Sequence, residues 1–230
     1  MSSEKSFELK VAFGKATISM IPYIGPIAAE LLGTVIPDKR YQRLEFLLNA
    51  ISSRISKLEE KVIKNKVLNE EFSDLFEDAM FASTRSDTNK KIEYIAEIIS
   101  NSISSDSANI SNEKSILKTL DQLNETHIIK LYSYTTKAQR DRNFINTHRH
   151  IIIRPSAEIG LPTEEYDKVA YHDMMINHLI TLGLLKRINV IDKGSPKINK
   201  VTSEFETRIE ISQTGRLLLR KICLLTDDEY

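Results

Sequence analysis

The chain has 230 residues, and its 32 Lys plus Arg balance 32 Asp plus Glu, so the formal net charge at neutral pH is zero. This length allows one large or two small domains with a buried core and excludes disorder throughout. The neutral balance argues against a nucleic-acid coat or a polybasic membrane binder. The single Cys223 excludes an internal disulfide and a Cys-rich zinc site, and it favours a reducing, cytoplasmic compartment.

An uncharged apolar stretch covers residues 16–29, and Pro22 and Pro26 interrupt it. Proline inside a helical pattern breaks or bends the helix, so we expect two short helices joined by a turn. The sequence therefore predicts an apolar helical hairpin as the domain 1–37. Two roles are open for it: a buried cap on the core, or a conditional membrane contact through Ile18–Ile36.

The segment after Asp38 carries the most regular apolar pattern of the chain and has no Gly or Pro until well past Asn65. Apolar residues recur there at spacings of four and three, at Leu44, Leu48, Ile51, Ile55, Leu58 and Val62. Nearly three heptads of this kind predict one long helix capped by Asp38. Its seam can pack on neighbouring helices of the same chain, or the Leu44–Val62 helix can serve self-association.

Two amphipathic helices follow and complete a predicted helical bundle over 38–111. Their apolar stripes are Phe72, Leu75, Phe76, Ala79 and Met80, and then Ile92, Ile95, Ala96, Ile99 and Ile103. We expect Ser86 or Asp87 to cap the second helix. Residues 70–125 contain twelve acids and five bases, which indicates either a solvated acidic face or a surface for a basic partner.

The remaining chain, 112–230, has the element order of a winged helix. We expect helices over 113–123 and 125–137 with Asn112 and Asn124 as caps, a helix from Pro162 to Gly183, strands over 184–191 and 205–211, and a closing helix after Ser212 or Thr214. The segments Leu179–Ile188 and Ile209–Leu219 resemble the winged-helix pattern, in which a Leu-Gly-Leu-Leu helix end enters the wing and Ile-Ser-x-x-Gly opens the last helix. Such modules serve both DNA and protein partners.

A DNA reader of this type would present basic or amide side chains from the helix before the wing. We expect that helix to expose Asp167, Lys168, His172, Asp173, Asn177 and His178, of which only Lys168 is basic. The wing supplies the candidate nucleic-acid-binding residues Lys186, Arg187, Lys193, Lys197 and Lys200, which could hold phosphates without reading bases. The pattern favours a protein-interaction or structural role over nucleic-acid contact.

A second resemblance covers more of the chain. The proline-bounded 21–37, the helix start 40–45, the segment 81–102 and the terminal winged helix together resemble bacterial proteins of the abortive-infection alpha type. These proteins are associated with phage defence. The resemblance implies a bacterial intracellular defence role, and it brings no catalytic motif with it.

One enzymatic motif is present. Arg142-Asn-Phe-Ile-Asn-Thr-His148 fits the Arg-Asn-x-x-x-x-His motif and so resembles the HEPN ribonucleases. The resemblance implies that His148 would act as general acid or base, Arg142 would stabilise the phosphorane charge and Asn143 would position the phosphate. The family expects a continuous helix here, whereas the motif leads into the β-branched run 151–153.

The sequence thus predicts a mainly α protein: a helical bundle with an N-terminal apolar helical hairpin and a C-terminal winged helix containing a small β-hairpin. The absence of a Gly-rich phosphate loop, a His-Glu-x-x-His motif and clustered ligands predicts no cofactor and no metal. The hypothesis is a non-enzymatic bacterial defence protein, cytoplasmic or membrane-associated, that acts through protein contacts and, in one variant, membrane insertion. The alternatives are a HEPN-like ribonuclease using Arg142 and His148, and a winged-helix nucleic-acid-binding regulator.

Overall fold

The computed structural model describes residues 38–67, 69–105, 109–156, 160, 162–192, 195–197 and 205–226. The hairpin predicted for 1–37, with its membrane-contact segment Ile18–Ile36, lies outside these ranges. The described residues form eleven helices and a two-stranded antiparallel sheet, with one further two-residue strand pair, which confirms the mainly helical class. None of these helices combines the length and apolar character needed to cross a bilayer.

The chain divides into two compact units. The first unit holds the described residues up to Glu125 together with Lys221–Cys223, and the second holds Thr126–Arg220 and the described residues from Leu224. The boundaries predicted from the sequence, 38–111 and 112–230, stay predictions, because compactness does not test whether a segment folds alone.

Five helices form the first unit: α1 (Asp38–Ile55), α2 (Glu60–Val67), α3 (Glu70–Arg85), α4 (Asn89–Ser104) and α5 (Ile110–Asp121). Helix α4 is central, since α1, α2, α3 and α5 all pack against it. The core holds two stacked rings, Phe72 and Phe76, whose centroids lie 6.4 Å apart. Both rings are almost fully buried, as are Ile92, Ile95 and Ile99 on α4, so the predicted stripes of α3 and α4 are confirmed.

The single long helix predicted after Asp38 is wrong, because the chain leaves the helix after Ile55 and resumes at Glu60. The seam residues Leu44, Leu48, Ile51 and Ile55 are buried, and α1 packs chiefly against α4 and α3. After the break the buried residue is Ile63, while Val62 is half-buried. The interruption therefore shifts the apolar face by one position and keeps the second helix on the core.

Helix starts in the first unit follow side-chain caps. Asn69 accepts a hydrogen bond from the amide of Phe72, Thr88 from Lys91 and Asn109 from Asn112. The predicted caps Ser86 or Asp87 and Asn112 are therefore wrong by one to three positions. Ser86 instead ends α3, and its hydroxyl donates to Ala82 O at 3.0 Å.

The second unit contains six helices, of which the first begins and the last ends with one residue that belongs to the first unit. They are α6 (Glu125–Tyr132), α7 (Thr136–Arg140), α8 (Arg142–Thr147), α9 (Arg149–Ile152), α10 (Thr163–Thr181) and α11 (Gln213–Lys221). The helix predicted over 125–137 ends at Tyr132, because Thr135 caps a new helix by accepting a hydrogen bond from the Ala138 amide. Helix α10 begins at Thr163 as predicted, and Gly183 follows its end with a φ of +69°, a conformation that glycine adopts without strain.

Four short strands lie between α10 and α11: β1 (Leu185–Asn189), β2 (Ile191–Asp192), β3 (Ser195–Pro196) and β4 (Thr207–Ile211). β1 pairs antiparallel with β4 from Leu185 opposite Ile211 to Asn189 opposite Thr207, and β2 pairs with β3. The predicted hairpin is therefore present, and it places successive side chains of β1 on opposite faces.

A close contact fixes the turn from β4 into α11. The hydroxyl of Ser212 donates to Gly183 O and accepts from the Gly215 amide at 3.0 Å, so Ser212 caps α11 as predicted. A Cβ at Gly215 would lie 2.3 Å from Leu184 O and 2.9 Å from Ile211 Cγ1. Glycine at this position lets α11 pack directly on Leu184, which precedes β1, and on Ile211 of β4.

Candidate functional site

The predicted ribonuclease residues lie along two short helices. Arg142 and Asn143 occupy the first turn of α8 and are exposed, and His148 falls in the interruption between α8 and α9. The His148 ring contacts Phe144, with a centroid distance of 4.8 Å. Among the described residues, no hydrogen bond or ion pair joins His148 to Arg142 or Asn143. The helix is interrupted where the HEPN family expects continuity, and the catalytic roles stay predictions.

The candidate nucleic-acid residues are only partly described. Lys186 and Arg187 are exposed neighbours on β1, whereas Lys193 and Lys200 lie outside the described residues. Lys197 is exposed and forms an ion pair with Glu206, with its Nζ 2.7 Å from Oε2. Nucleic-acid contact by these residues stays a prediction.

The second unit contains a cavity of about 500 Å³. Residues from α6, α9, α10 and both long strands line it, together with Tyr134 after α6 and Arg154 after α9. The lining residues are Lys130, Tyr134, Ile152, Arg154, His172, Asp173, Ile176, Asn177, Arg187 and Ile209. A concave, mixed apolar and polar space of this size is typical of small-molecule sites.

Lys130 is the most unusual residue of this lining. Only 4% of it is exposed, and its Nζ donates to Ile152 O and lies 3.0 Å from His172 Nε2. Within the described chain no carboxylate pairs with this amine. Burial lowers the pKa of Lys130 from 10.5 to about 8, because a charged ammonium without a counter-ion is poorly stabilised away from water.

His172 lies beside Lys130 on α10, and its side chain is 9% exposed. The prediction that His172 is exposed on this helix is therefore wrong, since its ring turns towards the cavity. Nε2 faces the Lys130 amine and accepts from it when the amine is charged, which places the ring proton on Nδ1. Nδ1 is buried and makes no hydrogen bond to any described residue, and Asp173 Oδ1 at 3.5 Å gives only a weak electrostatic contact. Burial and the positive charge of Lys130 lower the pKa of His172, so its ring is neutral at physiological pH.

Arg154 and Asp173 form a two-pronged ion pair at the edge of the cavity. Arg154 Nε donates to Oδ1 at 2.8 Å and Nη2 donates to Oδ2 at 2.7 Å. The guanidinium lowers the pKa of Asp173 to about 2, so this carboxylate stays ionised. Four residues after Asp173 on α10, Asn177 accepts a hydrogen bond through its Oδ1 from Arg187 Nη2 at 2.7 Å.

The lining thus combines three cationic side chains, Lys130, Arg154 and Arg187, with a single carboxylate, Asp173, among the residues that the structure describes. The sequence pattern assigned Arg187 to the wing and did not indicate Lys130. No local signal distinguished Lys130, because a lysine next to apolar residues such as Ile128 and Leu131 is normally exposed to solvent.

Comparisons of the chain with protein-family models, curated proteins and solved structures gave no match.

Proposed function

We propose that this chain is a non-enzymatic binding protein whose second unit takes up a small anionic ligand, bearing a phosphate or a carboxylate, in the cavity around Lys130. The observation that carries the proposal is the excess of cationic groups: Lys130, Arg154 and Arg187 line one concave space with one carboxylate. Asp173 already pairs with Arg154, so it does not neutralise Lys130 or Arg187.

An anion would supply what Lys130 lacks. The protonated amine has three N–H groups, and two of them are directed to Ile152 O and His172 Nε2. The third remains for a ligand, and an anionic oxygen there would stabilise the buried ammonium. Arg187, held by Asn177, would contribute a second charged donor from β1.

The rest of the lining suits a ligand with an apolar body. Ile152, Ile176 and Ile209 provide aliphatic surface, and the Tyr134 ring lies 5.7 Å from the Lys130 Nζ. Charged donors at specific points, set beside aliphatic surface, fix the orientation of a small molecule.

The described wing favours a small ligand over a nucleic acid. Lys197 pairs with Glu206, and Arg208 pairs with Glu210 at 2.8 Å, so part of its positive charge is neutralised within the hairpin. Helix α10, which stands where a winged helix places its reading helix, begins with Glu164 and Glu165. Phosphates of a duplex would meet repulsion there.

The element order of helices, antiparallel hairpin and closing helix supports a winged-helix-like identity for the second unit. The abortive-infection resemblance supports a bacterial defence role, exerted through protein contacts, with Ile18–Ile36 as the segment for membrane contact. In this scheme, binding of the ligand to the second unit is the signal, and the rest of the chain carries out the defence role. The ribonuclease alternative is tested separately, since His148→Ala would have to abolish RNA cleavage.

Isothermal titration calorimetry tests the binding function. Separate titrations with inorganic phosphate and with benzoate distinguish recognition of a phosphate from recognition of a carboxylate. We expect millimolar or tighter binding of one of them, weakened about tenfold by Arg187→Gln, because a charged hydrogen bond contributes about 1.5 kcal/mol or more. Lys186→Gln is the matched control, since Lys186 precedes Arg187 on β1 and does not line the cavity. Absence of binding of both anions, or equal loss in both variants, would refute the proposal.

A further inference from the structure

The contacts of the Lys130 amine also fit its neutral form, which has two N–H groups and one lone pair. Of the two polar atoms that contact Nζ, Ile152 O is an acceptor, and His172 Nε2 is an acceptor when Nδ1 carries the ring proton. With both N–H groups engaged there, the lone pair occupies a remaining tetrahedral direction. Lys130 belongs to the lining of the cavity, which is where a bound molecule would meet the amine.

We propose that Lys130 attaches covalently, as an imine, to an aldehyde or ketone that also carries an anionic group. This inference rests on the proposed anion-binding function and deepens it by naming the ligand class. Arg187 holds the anionic group, and Lys130 reacts with the carbonyl carbon. The resulting complex is reversible and responds to the concentration of the carbonyl compound.

The chemistry balances without an oxidant, a reductant or a further reactant. The Nζ lone pair forms a bond to the carbonyl carbon, and the carbonyl oxygen takes a proton to give a carbinolamine. Loss of the second amine proton and of the hydroxyl group as water leaves the C=N bond. His172 Nε2, 3.0 Å from Nζ, accepts the amine proton and returns it to the departing hydroxyl.

Its larger neutral fraction makes the amine of Lys130 a better nucleophile than the amine of an ordinary lysine. With a pKa of about 8, about half of the Lys130 amines are neutral at that pH, whereas a lysine at 10.5 is neutral in about 0.3% of molecules. A lysine desolvated in its pocket is an established kind of amine nucleophile. Burial is the cause of the lowered pKa of Lys130.

Pyridoxal 5′-phosphate is a suitable probe, since it joins an aldehyde to a phosphate. We expect borohydride reduction of its complex with the full chain to leave one reduced adduct, mapped to Lys130 by peptide mass analysis. Pyridoxal, which lacks the phosphate, should label Lys130 much less, and pyridoxine 5′-phosphate, which lacks the aldehyde, should compete. Lys130→Arg should abolish the adduct, and Lys186→Arg should leave it unchanged.

The wild-type map keeps the test decisive even if Lys130→Arg does not fold. Labelling spread over exposed lysines such as Lys186 and Lys168, with Lys130 unmodified, overturns the imine. If phosphate still binds in that case, the proposed anion-binding function stands alone. If neither phosphate binding nor a Lys130 adduct is found, both proposals fall together.

Discussion

The neutral-amine interpretation of Lys130 predicts an unusual pH dependence of stability. The perturbation is Lys130→Met, which removes the amine and keeps a side chain of similar length. In the folded chain the pKa of Lys130 is lowered to about 8, so the folded state binds fewer protons than the unfolded state between that value and 10.5. The contribution of Lys130 to the stability of the wild type must therefore rise with pH across this window.

The magnitude follows from the size of the shift. Moving the pKa of one lysine from 10.5 to about 8 opposes folding by about 3 kcal/mol when the amine is charged, since each pKa unit corresponds to about 1.4 kcal/mol. This opposition is complete below about pH 8 and fades as the pH approaches the unfolded value. Between about pH 7 and about pH 9.5 the wild type should gain about 2 kcal/mol relative to Lys130→Met.

Urea unfolding of both proteins at several pH values measures this difference. Other shifted groups, such as Lys91 in the first unit, are common to both proteins and cancel in the comparison. Lys186→Met controls for the loss of one positive charge at an exposed position of the same unit. Parallel stability curves for wild type and Lys130→Met would refute the lowered pKa of Lys130 and remove the protonation argument for the imine.

Three further substitutions test the packing. Gly215→Ala should lower the free energy of unfolding in urea by about 2 kcal/mol, because the added Cβ would lie 2.3 Å from a backbone oxygen. This clash should outweigh the higher helix propensity of alanine. The control Thr214→Ala, at an exposed neighbouring position, should leave the stability nearly unchanged. Phe76→Ala should lower the free energy of unfolding, measured by thermal unfolding, by about 3–5 kcal/mol. Phe81 is 39% exposed, so Phe81→Ala should lower it by less than about 1 kcal/mol. Thr88→Ala, which removes the cap of α4, should cost about 1 kcal/mol and reduce the hydrogen-exchange protection of its first turn.

Periodic apolar stripes were sufficient to predict α3 and α4, and they placed α1 within a longer helix. The stripe of α3 places Phe72, Leu75 and Phe76 on one face, and all three are buried. Local backbone chemistry was equally informative at the end of α10, where Gly183 adopts the positive φ expected of a helix-ending glycine. These features depend on residues within a few positions of each other, which is why a single sequence shows them.

The break between α1 and α2 could not be predicted in the same way. The residues from Ser56 to Glu59 include no Gly or Pro, and the heptad pattern runs through them to Val62. The break follows from packing against α4, which buries Ile63 and leaves Leu58 half-buried. Burial against a distant segment outweighed local helix preference.

The cavity could not be predicted from the sequence, for a related reason. Lys130 and His172 are 42 residues apart, and they meet only because α6 and α10 pack in the same unit. A charged residue beside an apolar stripe is normally solvent-facing, so nothing local indicated that Lys130 is 4% exposed. The sequence shows that this part of the chain has more basic than acidic residues, but it does not show which of them come together in space.

That excess of bases bears on the choice between a nucleic acid and a small ligand. Residues 126–221 contain sixteen bases and ten acids, and three of those bases line one cavity. A polymer binds by exchanging many counter-ions along an exposed face, so its affinity falls steeply with salt. A single anion in a concave site displaces few ions, so we expect a shallow salt dependence for phosphate or benzoate. A steep salt dependence with an oligonucleotide, unaffected by Arg187→Gln, would instead assign the positive charge to the outer surface of the wing.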